Sequence, residues 1–236
     1  MAEQPSWQWD EMQQVGTDYA DISEVERYER RMGQVRDLAA ENAAILSLLA
    51  LPEGAHILEI GTGTGHFARA AAQAGYRVTA LDVSLIMLQY SASRAKAEGL
   101  AGIEYRHGGF LTFTEPPASF DAAVSVLALH HLPDLWKAVA LGNVRRILKP
   151  AGRFLLGDVV FSSAEPDPRP CLAAWIADMP ESMQGEVETH VGKEYSTLDW
   201  IMEGLLVRSG FAIERVVHSQ SPIVQYVCTA DNGPDQ

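Results

Sequence analysis

The chain has 236 residues, 47% of them apolar, which suits one α/β domain with additions or two small ones and excludes a disordered chain. Its 18 basic and 31 acidic residues leave a net charge of −13, which repels phosphate backbones. No local basic patch offsets that charge and no stretch reaches the about 18 apolar residues of a bilayer span, so neither nucleic acid nor membrane is an expected partner.

The N-terminus, MAEQPSWQWDE, is polar and acidic and lacks an apolar leader, which predicts a cytoplasmic protein. Residues 1–33 carry scattered aromatics (Trp7, Trp9, Tyr19, Tyr28) and read as a helical cap or lid on a main domain spanning 34–236. Arg27, Arg30, Arg31 and Arg36 alternate there with Glu24, Glu26, Glu29 and Asp37, the pattern of a solvated or lid helix. From about Gln34 to Ala50, the apolar residues Leu38, Ala39, Ile45, Leu46 and Leu49 repeat at helical spacing, and LPEG at Leu51–Gly54 ends that helix.

Alternation then begins. Strands are predicted at 56–60, 77–83, 103–107, 120–129 and 153–161, with helices at 65–74, 85–98 and 134–148. The long apolar run 120–129 fits a strand buried on both faces. Single helices between strands imply parallel βαβ units and a doubly wound sheet. Beyond Ser162 a loop leads to a helical stretch over 171–195, and Ser196 with Asp199 resembles a capping box opening a helix over 197–209. FAIERVV and PIVQYVCT then read as two adjacent strands. Cys171 and Cys228 lie in different segments and form no CxxC pair, so both are expected to be plain thiols.

LEIGTGTGHFARAAAQAGYRVTALDVS, Leu58 to Ser84, places glycines 61, 63 and 65 between a strand and a helix. Backbone N–H groups and the positive helix end favour anionic or polar ligand groups there, and glycine lets a ligand approach the backbone. A ligand-free tight turn would need only one glycine. The dinucleotide fingerprint is GxGxxG, and here the third glycine comes one residue early. No Lys-Ser/Thr pair follows, which removes the phosphate loop of nucleotide triphosphatases. Asp82, about twenty residues beyond the loop, suits a ribose diol. Its alternative is a helix cap, but Ser84 is the better cap and leaves Asp82 free.

LEIGTGTG with ALDVS resembles the first two motifs of the class I S-adenosylmethionine (SAM) dependent methyltransferases, and FDAAVSVLALHHLPD with LGNVRRILKPAGRFLLGD resembles their later motifs. The resemblance covers about residues 34–160. WDEMQQVGTDYADI, GGFLTF and EYSTLDWIMEGLLVRSGF are similar to bacterial methyltransferases of small molecules. It implies a Rossmann-like, mostly parallel sheet of seven strands, the last antiparallel, with SAM as cofactor and S-adenosylhomocysteine as product. Glu59, Gly61, Thr62, Gly63, Thr64 and Gly65 would then hold the methionine part. Asp82 would take the ribose hydroxyls, Val83, Met87 and Phe110 would border the adenine, and Leu127 would line the sulfonium. Gly109 stands where the family has an acidic residue that accepts from the adenine amino group, so that group is expected to use a backbone acceptor or water.

Methyl transfer needs an aligned nucleophile and a dry site, and a general base only where the acceptor loses a proton. His131, with His130 beside it, and Asp158 sit at carboxyl ends of strands and are the candidate base or acceptor-holding groups; Tyr19 is the candidate lid residue. Adjacent histidines on an extended strand point to opposite faces, so no metal site is expected. The expected acceptor is a small molecule and the expected state a monomer or homodimer. A SAM-binding module without transfer activity stays open, as does an NAD-dependent oxidoreductase, which the GxGxG spacing disfavours.

Overall fold

The computed structural model describes residues 5–13, 22–162, 167–219 and 222–231. Tyr19 lies outside these. The elements are α1 (Ile22–Val35), α2 (Leu38–Leu49), β1 (His56–Ile60), α3 (His66–Gln73), β2 (Arg77–Asp82), α4 (Leu85–Ala97), β3 (Ile103–His107), β4 (Phe120–Val126), α5 (Asp134–Ile147), β5 (Leu148–Phe161), α6 (Arg169–Asp178), α7 (Glu181–Lys193), β6 (Thr197–Leu198), α8 (Asp199–Arg208), β7 (Phe211–His218) and β8 (Ile223–Ala230).

The strands form one sheet in the order β3-β2-β1-β4-β5-β8-β7, and the two-residue β6 pairs β5 off this path. The first five pair in parallel. β8 runs antiparallel to both neighbours, β5 and β7. The seven-stranded, mostly parallel sheet expected from the resemblance is therefore present, with β6 as an addition. Strand order reverses beside β1 and β4, and their carboxyl ends open the crevice in which such sheets take ligands.

Each face is covered. Ile45, Leu49, Phe67, Ala68 and Ala71 of α2 and α3 pack on Ile57, Val78 and Val124 on one side. Ala140, Leu141, Val144, Ile147, Met202 and Leu206 of α5 and α8 pack on Leu58, Ala123 and Phe154 on the other. Burial on both faces explains the unbroken apolar strands.

Several boundaries differ from expectation. α2 starts at Leu38 rather than Gln34, because Asp37 accepts from Ala40 N (3.0 Å) as its cap. β4 stops at Val126: Leu127 takes φ of +53° and Leu129–His131 form a 3₁₀ turn. The 171–195 stretch is two helices, α6 and α7, separated by Met179–Pro180, where proline ends the first. No capping box forms at Ser196; its hydroxyl meets His190 Nε2 (2.7 Å), Leu198 precedes α8, and residues 197–198 are paired as β6.

Candidate active site

One cavity of about 470 Å³ opens at the carboxyl ends of β1, β2 and β4. At one end lie Glu59, Gly61, Thr62, Gly63, Thr64 and Asp82. Gly61 (φ +77°) is required by a close approach, because a Cβ there would overlap Ala128. Gly63 (φ +52°) is different: no atom lies within 4 Å of where its Cβ would be, so the space above it is open for a ligand. Gly65 does not line the cavity. Its φ is +79° and a Cβ would fall on Ser91 Oγ of α4, so this glycine serves helix packing rather than ligand contact.

Two buried carboxyl groups face this end. Glu59 Oε2 accepts from Thr62 Oγ1 (2.6 Å). Burial, reinforced by nearby Asp82, pushes the Glu59 carboxyl up to about 8. Asp82 is not free as expected: it accepts from Gly63 N (2.8 Å) and Ser84 N (2.8 Å), while Ser84 Oγ caps α4 by accepting from Met87 N (3.2 Å). A carboxylate has about four acceptor sites, so capacity remains for further donors.

Val83, Met87, Gly109, Phe110 and Leu127 also line the cavity, as does Tyr28 of α1. Beside Gly109 sits Glu11, a residue the sequence reading passed over. Glu11 Oε1 accepts from Leu111 N (2.8 Å) and Thr112 Oγ1 (2.7 Å). A Cβ on Gly109 would lie 2.5 Å from Glu11 Oε2 and 2.9 Å from Val83 Cγ1. The carboxyl group of the N-terminal segment thus occupies the space that an acidic side chain at position 109 would fill.

The opposite end is built from His130, His131, Trp175, His190 and Glu194. His130 N (3.0 Å) and Nδ1 (2.5 Å) donate to Asp158. The other face of the ring, Nε2, lies 3.3 Å from Glu194 Oε2, and His190 Nδ1 contacts the same oxygen. Burial alone would lower the His130 imidazole, but Asp158 and then Glu194 outweigh it and raise it to about 9. Burial would raise Glu194, yet hydrogen bonds from His130 and His190 hold it well below the ordinary carboxylate range. His131 is pushed down to about 4 by burial and by neighbouring His130, and its Nδ1 has no hydrogen-bond partner. Lys137, fully buried, fixes this corner by donating to Tyr195 O and to Asp134 Oδ1 (2.8 Å).

Asp158 is corrected by these contacts. β5 continues through Phe161, so Asp158 is internal to the strand, fully buried and outside the cavity, and both its oxygens are engaged by His130 and Val159 N. Its contacts are with His130 and Val159 rather than with the cavity. The two histidines do not alternate along a strand either; on the 3₁₀ turn their ring centroids are 4.4 Å apart. His190 and Glu194 carry no sequence signal of their own: His190 sits in the last turn of α7, and Glu194 is the extended residue that ends it.

The family model for a methyltransferase domain matches residues 57–152. An uncharacterized methyltransferase of Geobacillus kaustophilus is 30% identical over 207 residues, 84% of this chain and 91% of that relative. The chain belongs to the class I SAM-dependent methyltransferases. The methyltransferase is also similar to the uncharacterized methyltransferase YrrT of Bacillus subtilis, 30% identical over 169 residues, 72% of this chain and 75% of the relative. Its fold matches a SAM-dependent methyltransferase from Aquifex aeolicus with a TM-score of 0.64 at 18% identity, covering 89% and 98% of the two chains. SAM is accordingly its cofactor. The open space over Gly63 and the buried carboxyl groups of Glu59 and Asp82 suit that molecule, which carries an ammonium group and a ribose diol. Among the described residues, no helix is long and apolar enough to cross a membrane.

Proposed function

We propose that this methyltransferase passes the methyl group of SAM to a small-molecule acceptor held inside the cavity, facing helix α7. The observation that carries this reading is the cavity itself: one continuous space runs from the glycine loop to His131 and Glu194, with residues of α1, α6 and α7 among its walls. A recess of about 470 Å³ suits a small acceptor better than a polymer segment.

Glu59 would meet the ammonium end of SAM, and Asp82 the ribose hydroxyls. Val83, Met87 and Phe110 would border the adenine. Glu11 would take the part of the acid absent at Gly109 and accept from the adenine amino group. Bound SAM supplies an electrophilic methyl group on a sulfonium, so the remaining work is alignment and exclusion of water. His131 is neutral near pH 7 and faces the acceptor end, so it can accept a hydrogen bond from the acceptor. Asp158 positions His130 from behind.

The test uses SAM labelled in its methyl group. Label should pass to one class among small thiols, amines, hydroxyl compounds and carbon acids, and His131→Ala should lower kcat with the Kd for SAM unchanged. Transfer only to RNA or protein would overturn the small-molecule reading. Stoichiometric SAM binding with no transfer to any acceptor would favour a binding module instead.

A further inference from the structure

We propose that His130, His190 and Glu194 form a divalent transition-metal site at the acceptor end of the cavity. One ligand atom from each residue lies within 4.8 Å of the other two. Ligands about 2.0–2.2 Å from a tetrahedral ion are about 3.3–3.6 Å from one another. His130 Nε2 and Glu194 Oε2 already sit 3.3 Å apart; His190 Nδ1 is in direct contact with the same oxygen, and its ring must draw back to admit an ion. Two imidazoles and one carboxylate that leave further positions open match the ligand set of catalytic zinc and of non-haem iron sites. Imidazole favours zinc, iron, nickel or copper over magnesium or calcium.

The surroundings point the same way. A ligating histidine ordinarily gives its second ring nitrogen to a carboxylate, which fixes the ring. His130 Nδ1 is bound by Asp158 (2.5 Å) and His190 Nε2 meets Ser196 Oγ (2.7 Å), so both rings are oriented from behind. Asp158 and Glu194 together carry two negative charges beside the three ligand atoms, which balances a dication in a buried place. The three ligands come from two places in the fold, His130 on the 3₁₀ turn after β4, and His190 in the last turn of α7 with Glu194, the extended residue that ends that helix. The open positions would face the cavity beside His131, whose Nδ1 lacks a partner. An acceptor with an oxygen, nitrogen or sulfur donor could be held there; that use rests on the methyl-transfer reading, whereas metal binding does not.

The test therefore omits SAM. Tag-free protein carrying Cys171→Ser, which removes an exposed competing thiol, is stripped with chelator and titrated with Zn²⁺ by calorimetry and with Co²⁺ by visible absorption. The expected result is one equivalent of each metal, with a cobalt d–d band in the visible. His190→Ala and Glu194→Gln should each weaken binding by at least about 100-fold, and Asp158→Asn by about 10–100-fold. A variant that loses its native circular dichroism is set aside for the parent titration, which decides alone. Absence of a cobalt band in the parent, or affinity unchanged in a folded His190→Ala protein, would overturn the site. Neither result touches the SAM reading, which label transfer tests separately.

Discussion

Glu59, proposed to meet the ammonium end of SAM, would link cofactor binding to pH. Its carboxyl sits near 8 in the free protein against an ordinary 4.5, so the fold prefers the protonated form. That preference stabilises the free protein fully below about pH 4.5 and is lost as pH rises through about 8. An ammonium group beside it favours the ionised form, so SAM binding should expel a proton. Affinity for SAM should then rise with pH, by up to about tenfold per unit below pH 8, and flatten above it. Calorimetry in buffers of different ionisation heat would count the proton, and Glu59→Gln should remove the slope. A flat profile in the wild type would place the ammonium elsewhere. Gly109 offers a second residue-scale check. Filling it with Asp would drive a carboxylate onto Glu11 and should weaken SAM binding about tenfold, near 1.4 kcal/mol. Adding Glu11→Ala should recover most of that loss, because the new acid then takes the vacated place. Additive effects would mean that the two positions do not share one role. The glycine at 109 was legible in the sequence as a departure; its partner was not, since Glu11 reaches it across about a hundred residues.

At the scale of elements, period and punctuation were enough to find β1 to β5 and α3, α4 and α5, though not the end of β4 at Val126 or the start of β5 at Leu148. Strands buried on both faces and helices ended by Gly75 and Gly99 carry local signals that tertiary contacts only confirm. The reading failed where tertiary contacts decide. Leu127, Leu129 and His130 look like a continuing strand, yet the chain leaves the sheet because Gly61 and Ala128 must pass at close range and Asp158 draws in His130. That one misread turn hid the relation of the two histidines. The glycine loop divides its labour in a way spacing alone could not show. Gly65→Ala should cost about 2–5 kcal/mol, from the left-handed backbone and from overlap with Ser91. Gly63→Ala meets no atom and should cost only about 1–2 kcal/mol for its backbone, while reducing SAM affinity further than its stability loss explains. Urea unfolding and calorimetry on both variants measure the two effects; equal stability losses would contradict this division.

The whole molecule combines a rigid sheet with covers of a different character. Among the described residues, the core side chains of β1, β4 and β5 are nearly all buried, whereas α6 buries none and α7 only Met183 and Val187. The covers are held by scattered anchors instead. Arg31 of α1 bridges Glu186 of α7 (3.1 Å), Trp9 packs edge-on to Tyr195 (5.5 Å), and Glu11 binds the segment after β3. The alternating charges of α1 read as a solvated or lid helix, and their partner on α7 is not readable because no sequence period links the two. A partly exposed pair of this kind is worth about 0.2–1 kcal/mol, so it can yield without disturbing the core. These elements line the space that SAM occupies in the proposed reading, so their yielding would widen its entrance. Hydrogen exchange should therefore slow about tenfold or more in residues 22–35 and 181–193 together when SAM is added, with β1 and β4 unchanged. Arg31→Ala should leave the unfolding midpoint nearly as it is but speed SAM release. Slowing in α1 alone would show that α7 is fixed and that only the N-terminal cover moves, whereas no slowing in either would mean that both are permanent walls and that the ligands enter by another opening.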